Sequence, residues 1–224
     1  AENKVATRVK SFIENTTGTG VTVAGDITMT AHDVSTISAV VGAASMAASV
    51  GLIGSLSVSV GTAAARNDIG NEVEAYIKSA TVNATSGNLT IQAFEDATIT
   101  STSTAASVAA SASFFSVAIS GGGASATNTI HNSTKAYVAQ SALDVSGNLT
   151  VESRDTSTSF ATVDTLSASL GILSVSMGGS VANATITSMI EAYADSSNID
   201  AGGDILISAT AKPKAEVEAV GATA

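Results

Sequence analysis

The sequence predicts an all-β protein, a repetitive β-solenoid of the parallel β-helix type built from repeats of about 60 residues. One observation is a phrase written twice almost unchanged, "SGNLTIQA" from Ser86 and "SGNLTVES" from Ser146, with looser copies at "AGDITMTA" and "GGDILISA". A second is an aromatic residue that precedes each copy. A third is the alternation of apolar and small polar residues between the copies, which indicates β-strands.

Three landmarks recur along the chain with a common period. The glycine of the phrase occurs in steps of 62, 60 and 56 residues, at Gly25, Gly87, Gly147 and Gly203. The aromatic residue occurs in steps of 64, 61 and 56 residues, at Phe12, Tyr76, Tyr137 and Tyr193. An asparagine lies nine or ten residues before each tyrosine, at Asn67, Asn128 and Asn183. We therefore divide one continuous solenoid into a partial repeat 1–66, full repeats 67–127 and 128–182, and a partial repeat 183–224.

Each repeat has the same predicted order of elements. A strand surrounds the aromatic residue, a turn follows at the glycine and its Asn or Asp neighbour, and the next strand alternates apolar residues such as Leu89 and Ile91. Glycine is expected to supply a positive φ in this turn, which Asn and Asp also tolerate. We expect each repeat to hold about three strand–turn rungs of roughly 20 residues each.

Three long tracts contain no Asp, Glu, Lys or Arg: 34–65, 97–134 and 165–190. A transmembrane helix needs about 20 apolar residues, so these tracts raise that alternative. Their period-two alternation and frequent β-branched residues favour strands instead, with 39–54 the least clear segment. We expect no membrane insertion. An array of antiparallel β-sandwich repeats is the alternative fold, but it would need hairpin signals such as "NG" or "DG", and neither occurs.

Composition limits the classes of partner. The net charge is −10 with only nine Lys and Arg residues, which argues against nucleic acid and against an anionic membrane surface. The chain has no cysteine, so disulfides, thiol catalysis and cysteine metal sites are excluded. Because the sequence starts and stops within the repeat pattern, we expect it to be part of a longer chain, with neighbouring repeats as its first partners.

The residues "AYI" before "GNLTI" (Tyr76 to Ile91), "AYV" before "GNLTV" (Tyr137 to Val151) and the Ala/Ser/Gly/Val-rich tract between them carry a resemblance. The pattern resembles repeat regions of very large exported bacterial proteins, the filamentous adhesins and haemagglutinin-like exoproteins, including leukotoxin-type filamentous adhesins. This resemblance implies a secreted or surface-exposed fibre that serves as a stalk.

No residues suggest a catalytic, cofactor or metal site. The candidate carboxylate pairs are Glu95 with Asp96 and Asp155 with Asp164, but no set of carboxylates with basic partners recurs at the expected rung spacing. His32 and His131 fall at different phases of the repeat, so we expect solvated turn histidines. The row of threonines in "ATITSTST" raises an ice-binding alternative, but the next repeat interrupts the row.

One feature suggests a packing surface. In "SLSVSV" and "ILSVSM" one face of the strand carries Val, Leu or Met, and the other carries small residues, with Ser57, Ser59, Ser174 and Ser176 as the candidate packing face. We expect a second sheet of the same chain, or an identical chain in a fibre, to cover it. The predicted function is a structural stalk or filament segment without enzymatic activity; the alternative is a binding module that recognises glycan, ice or host protein.

Overall fold

The computed structural model describes residues 1–224 and contains twenty strands and no helix. The strands form five parallel sheets of four strands each, so the predicted parallel β-solenoid is confirmed. Every lateral neighbour of a strand is the equivalent strand of the preceding or following repeat.

The chain winds through four coils of five strands. Coil 1 contains β1 (Glu2–Val5), β2 (Arg8–Glu14), β3 (Val21–Val23), β4 (Ile27–Asp33) and β5 (Thr36–Val50). Coil 2 contains β6 (Ser55–Ile69), β7 (Glu72–Lys78), β8 (Thr81–Ala84), β9 (Leu89–Glu95) and β10 (Thr98–Ala112). Coil 3 contains β11 (Ser116–Ile130), β12 (Ser133–Ala139), β13 (Ala142–Val145), β14 (Leu149–Asp155) and β15 (Thr158–Leu170). Coil 4 contains β16 (Leu173–Ile186), β17 (Met189–Asp195), β18 (Asn198–Ala201), β19 (Ile205–Ala211) and β20 (Lys214–Thr223).

One repeat forms one coil, and the prediction of three rungs per repeat is wrong. Tyr137 of coil 3 pairs directly with Tyr76 of coil 2 and with Tyr193 of coil 4. A period of about 60 residues therefore advances the solenoid by a single strand spacing of about 4.8 Å. The coil is long because two of its five strands extend to about 15 residues. These long strands lie largely within the tracts that contain no charged residue.

The three shorter sheets enclose the base of the solenoid. These are sheet 2 (β2, β7, β12, β17), sheet 3 (β3, β8, β13, β18) and sheet 4 (β4, β9, β14, β19). Their inward aliphatic residues form the largest core cluster, in which Ile77, Val82, Leu89 and Ile91 are fully buried. Because side chains alternate across a strand, each coil places the same residue position in the core, and the aliphatic residues stack into columns.

The two long sheets form a blade that projects from the base. Sheet 1 (β1, β6, β11, β16) and sheet 5 (β5, β10, β15, β20) pack face to face and are joined at the blade tip by the segments 51–54, 113–115 and 171–172. Of the segment 39–54, the least clear from sequence, residues 39–50 are strand and residues 51–54 form the turn at the blade tip. The structure has no helix with the length and apolarity required to cross a membrane.

Small residues fill the interior of the blade. Ser57 and Ser59 are buried against sheet 5 of the same chain, where Ser59 Oγ lies 2.7 Å from Ser45 Oγ. Ser176 Oγ donates to the Ser167 carbonyl oxygen across the blade, at 2.7 Å, whereas Ser174 on the same face of β16 is exposed. A Cβ on Gly61 would lie 2.6 Å from the Ala106 carbonyl oxygen of the opposite sheet. Only small side chains therefore allow the two sheets this close approach.

Candidate functional site: the ladders between coils

The aromatic landmark forms a continuous stack along the base. Phe12, Tyr76, Tyr137 and Tyr193 occupy the same position of sheet 2 in successive coils. Ring centroids are 5.4, 4.9 and 5.0 Å apart, and the ring planes differ by at most 12°. Parallel strands impose a neighbour distance of about 4.8 Å, which is also close to the spacing of stacked rings. The stack therefore adds attraction between coils without distorting the backbone.

A charge ladder of alternating sign flanks the aromatic stack on the outer face of sheet 2. Its members, one from each coil, are Lys10, Glu74, Lys135 and Glu191. Lys10 Nζ lies 2.5 Å from Glu74 Oε2, and Lys135 Nζ lies 3.0 Å from Glu191 Oε2. Burial, followed by the nearby Glu74 carboxylate, raises the pKa of Tyr137 to about 12, so the ring stays neutral. Alternating charges favour this register because a slip of one coil would place like charges together.

Replacing Tyr137 by Ala is expected to lower the free energy of unfolding by about 2–3 kcal/mol, because the ring stacks on both of its faces. Tyr137→Phe keeps the stack and should change the free energy of unfolding by less than about 0.5 kcal/mol. Urea denaturation followed by circular dichroism measures both values. Equal destabilisation by the two variants would show that the stacked rings contribute nothing beyond the hydroxyl group.

The asparagine landmark forms an amide ladder in only part of the chain, and the ladder is buried at Asn67 and Asn128. Asn3 Nδ2 donates to Asn67 Oδ1 at 2.8 Å, and Asn67 Nδ2 donates to Asn128 Oδ1 at 2.9 Å. The prediction that Asn183 is an equivalent landmark is wrong. The register partner of Asn128 in coil 4 is Ala184, whereas Asn183 pairs with Thr127 and faces outward. Its spacing of ten residues from Tyr193, instead of nine, shifts its side chain to the opposite face of the strand.

The glycine landmark places backbones of adjacent coils in close contact. A Cβ on Gly147 would lie 2.5 Å from Asn88 Oδ1 and 2.9 Å from the Gly87 carbonyl oxygen. Of the four landmark glycines, only Gly25 has a positive φ, so the expectation that this turn requires positive φ is wrong for the other three. The left-handed residues of each coil lie elsewhere, after sheet 2, at Asn15, Ser79, Gln140 and Ser196.

The residue after each landmark glycine forms a second side-chain ladder. The backbone N–H of Asn88 donates to Asp26 Oδ1 at 2.7 Å, and that of Asn148 donates to Asn88 Oδ1 at 2.9 Å. The backbone N–H of Asp204 continues the series to Asn148 Oδ1 at 2.8 Å. Asn and Asp side chains carry an oxygen that readily accepts a nearby backbone N–H, which accounts for the recurring G-[ND] pair.

A column of carboxyl groups, which the sequence reasoning missed, lies buried where sheets 4 and 5 meet. Asp33, Glu95 and Asp155 pair across successive coils, and Glu95 and Asp155 are fully buried. Asn71 Nδ2 donates to Asp33 Oδ2 at 2.7 Å and to Glu95 Oε1 at 3.0 Å. The sequence spacing could have revealed this column. Asp33, Glu95 and Asp155 are separated by 62 and 60 residues, the same steps that separate Gly25, Gly87 and Gly147.

The column changes the ionisation of its central member. Burial, followed by the adjacent charges of Asp33 and Asp155, raises the pKa of Glu95 to about 8, against the opposing hydrogen bond from Asn71. Glu95 is therefore mostly protonated at neutral pH, which removes one of three stacked negative charges. The Oε2 atom of Glu95 and the Oδ2 atom of Asp155 have no hydrogen-bond partner. Buried polar atoms without partners lower stability, so the column stabilises the coil stack less than an aliphatic column would.

The raised pKa of Glu95 makes folding depend on pH. The folded state favours the neutral acid, so its contribution to stability is fully present below the unfolded pKa and is lost as pH rises through about 8. In Glu95→Gln this dependence disappears. We expect the unfolding free energy of the natural chain to fall relative to that of the variant by up to about 1.4 kcal/mol per pH unit between about pH 5 and pH 8. Both histidines are common to the two chains, and parallel pH profiles from urea unfolding would contradict the assignment.

The structure separates the carboxylate pairs that were candidates from sequence. Glu95 points into the core, whereas Asp96 points outward, with its Oδ2 2.8 Å from His32 Nε2. Asp155 is likewise buried, and Asp164 lies on the outer face of β15. No group of three or more His, Asp or Glu side chains is placed to hold a metal ion.

The histidines and threonines also have defined positions. His32 lies in β4 rather than in a turn, and His131, between β11 and β12, has its Nδ1 atom 3.0 Å from Asp68 Oδ1. Thr100, one of the outward threonines of β10, has Ser38 of coil 1 and Phe160 of coil 3 as its register partners. The row of threonines therefore does not continue into either adjacent coil at this position.

The chain is thus a parallel β-solenoid whose coils are held in register by side-chain ladders. Comparisons with protein-family models, with curated proteins and with solved structures found no match.

Proposed function

We propose that this chain is a structural segment of a rod, a stalk or filament portion of a large secreted or surface-anchored bacterial protein. The observation that carries the proposal is the alignment of the aromatic stack, the charge ladder and the G-[ND] ladder through all four coils. Each ladder repeats the same contact at every step, so a further coil adds the same interactions as the last. The resemblance of its motifs to exported filamentous adhesins supports the proposed location and a role in adhesion or fibre assembly.

The proposed partners follow from the same architecture. Neighbouring coils of one long chain stack through the open backbone edges of coils 1 and 4, and identical chains in a fibre are the second partner. Nucleic acid is not proposed as a partner, because the acidic chain has only nine Lys and Arg residues. Catalysis is not proposed either: the separation of Glu95 from Asp96 and of Asp155 from Asp164 leaves no pair of carboxylates facing a common cleft.

Duplication of whole coils tests the rod. Residues 56–116 form one complete period, because Leu56 and Val117 occupy equivalent positions of sheet 1. Inserting four further copies of this period after Ser116 should lengthen the particle by about 19 Å, at about 4.8 Å a coil, and leave its cross-section unchanged. Small-angle X-ray scattering measures both dimensions.

The control inserts four copies of 56–85, about half a period, which breaks the register of every ladder. This control should lose cooperative unfolding, whereas the whole-coil insertion should keep it. Growth of the whole-coil variant in all three dimensions, or equal behaviour of the two insertions, would contradict a rod built by coil stacking.

A further inference from the structure

The outer surface of the blade has the polarity normally found inside a protein. We define the distal blade as residues 44–60, 106–121 and 166–177, which contain no charged residue. The outward rows of sheet 1 in this region are Leu56, Val117 and Leu173; Val58, Ile119 and Val175; and Val60, Gly121 and Met177. Between these rows, the serines at 57, 59 and 176 point inward. The distal blade therefore has hydroxyl groups inside and aliphatic groups outside.

The opposite face and the tip continue the apolar surface. On sheet 5, Met46 is 83% exposed and Leu170 is 75% exposed. At the tip, Leu52, Phe114 and Ile172 come from three successive coils and line one shallow hollow, with Phe114 83% exposed. Continuous apolar surface of this extent is uncommon on proteins surrounded by water and marks an interaction site.

We propose that the distal blade inserts into one leaflet of a lipid bilayer with uncharged headgroups. The apolar surface covers two opposite faces and the tip that joins them. A second rigid copy of the chain would cover only one face, whereas a fluid hydrocarbon phase covers all three surfaces. This proposal is independent of the rod function, and it replaces the expectation from sequence that the uncharged tracts do not enter a membrane.

The depth of the uncharged surface fits one leaflet. Asp164 is the charged residue nearest to the tip along any strand of the blade, and the residues 165–170 separate it from the tip segment. Six residues of strand span about 20 Å, and the hydrocarbon of one leaflet is about 15 Å thick. All acidic residues, including Asp164, Glu216 and Glu218 of sheet 5, lie outside the inserted part in this arrangement, which favours headgroups without negative charge.

The backbone of the two central blade strands is compatible with hydrocarbon, whereas β5, β6 and β16 each have one open edge in the distal blade. Strands β10 and β11 of the two central coils have hydrogen-bonded neighbours on both sides. The pairing continues into the tip, where the Ser55 N–H donates to the Phe115 carbonyl oxygen at 3.1 Å. Only segments whose backbone groups are paired within the protein are stable in lipid. Some inward serines have partners across the blade, as Ser45 has with Ser59, whereas the hydroxyl groups of Ser49, Ser57 and Ser111 have none.

Single-tryptophan variants test the insertion directly, because the natural chain has no tryptophan. Phe114→Trp places the probe at the tip, and Phe12→Trp places a matched probe on the exposed outer face of the base. With phosphatidylcholine vesicles, Trp emission of Phe114→Trp should shift to shorter wavelength and be quenched by brominated phosphatidylcholine. The emission of Phe12→Trp should stay unchanged.

A pair of charge variants tests whether the tip causes binding. Phe114→Glu/Phe115→Glu should reduce the vesicle-bound fraction in flotation at least about tenfold, since charges are costly in hydrocarbon. Thr28→Glu/Thr30→Glu adds the same charge at the exposed base and should bind as the natural chain does. Circular dichroism checks that both variants keep their β-structure.

Two results would overturn the proposal. In one, Phe114→Trp keeps the emission of a water-exposed indole in the presence of vesicles. In the other, its emission shifts without vesicles and in proportion to protein concentration, which would show that a second copy of the chain covers the blade.

Discussion

The parallel, in-register stacking of whole coils is the constraint on which the rest of the structure depends. A coil of about 60 residues rises by one strand spacing, so each residue meets its own equivalent in the next coil. Contacts between identical residues of adjacent coils therefore stabilise the stack and recur along it. They include stacked tyrosines, hydrogen-bonded asparagine amides and columns of aliphatic residues. The same geometry limits side-chain size wherever the backbones of adjacent coils or opposite sheets meet, as at Gly147 and Gly61.

Sequence alone predicted the fold because the ladders leave a periodic trace. The alignment of Tyr76 with Tyr137, and of Gly87 with Gly147, could be predicted from their common step without any knowledge of the coil's shape. The number of rungs in a repeat could not. Alternation shows where strands are, but a long strand and two short ones alternate in the same way, so the 15-residue strands of the blade were not recognised.

The remaining errors share a physical origin, since they concern which face of a strand a residue occupies. Asn183 is shifted by one residue, and a shift of one reverses the face. Glu95 was paired with Asp96 and Asp155 with Asp164 as sequence neighbours, but adjacent residues of a strand face opposite sides, and carboxylates are rarely buried, so the column of Asp33, Glu95 and Asp155 was not recognised. In the blade, by contrast, alternation identified the two faces correctly, and a second sheet of the same chain covers the serine face at Ser57 and Ser59, as expected. Sequence patterns therefore give the period well, but they did not identify the outward face of Asn183 or the burial of the carboxyl column.

Disulfide trapping measures the central claim, one coil per repeat, most directly, because the natural chain has no cysteine. Thr90 and Thr150 are register partners on the outer face of sheet 4, so Thr90→Cys/Thr150→Cys should form an intramolecular disulfide under mild oxidation, at a Cα distance of about 4.8 Å. The off-register control Thr90→Cys/Glu152→Cys should not. Three rungs per repeat would place the first pair about 14 Å apart, beyond the reach of a disulfide, and a failure of that pair to cross-link would contradict the account.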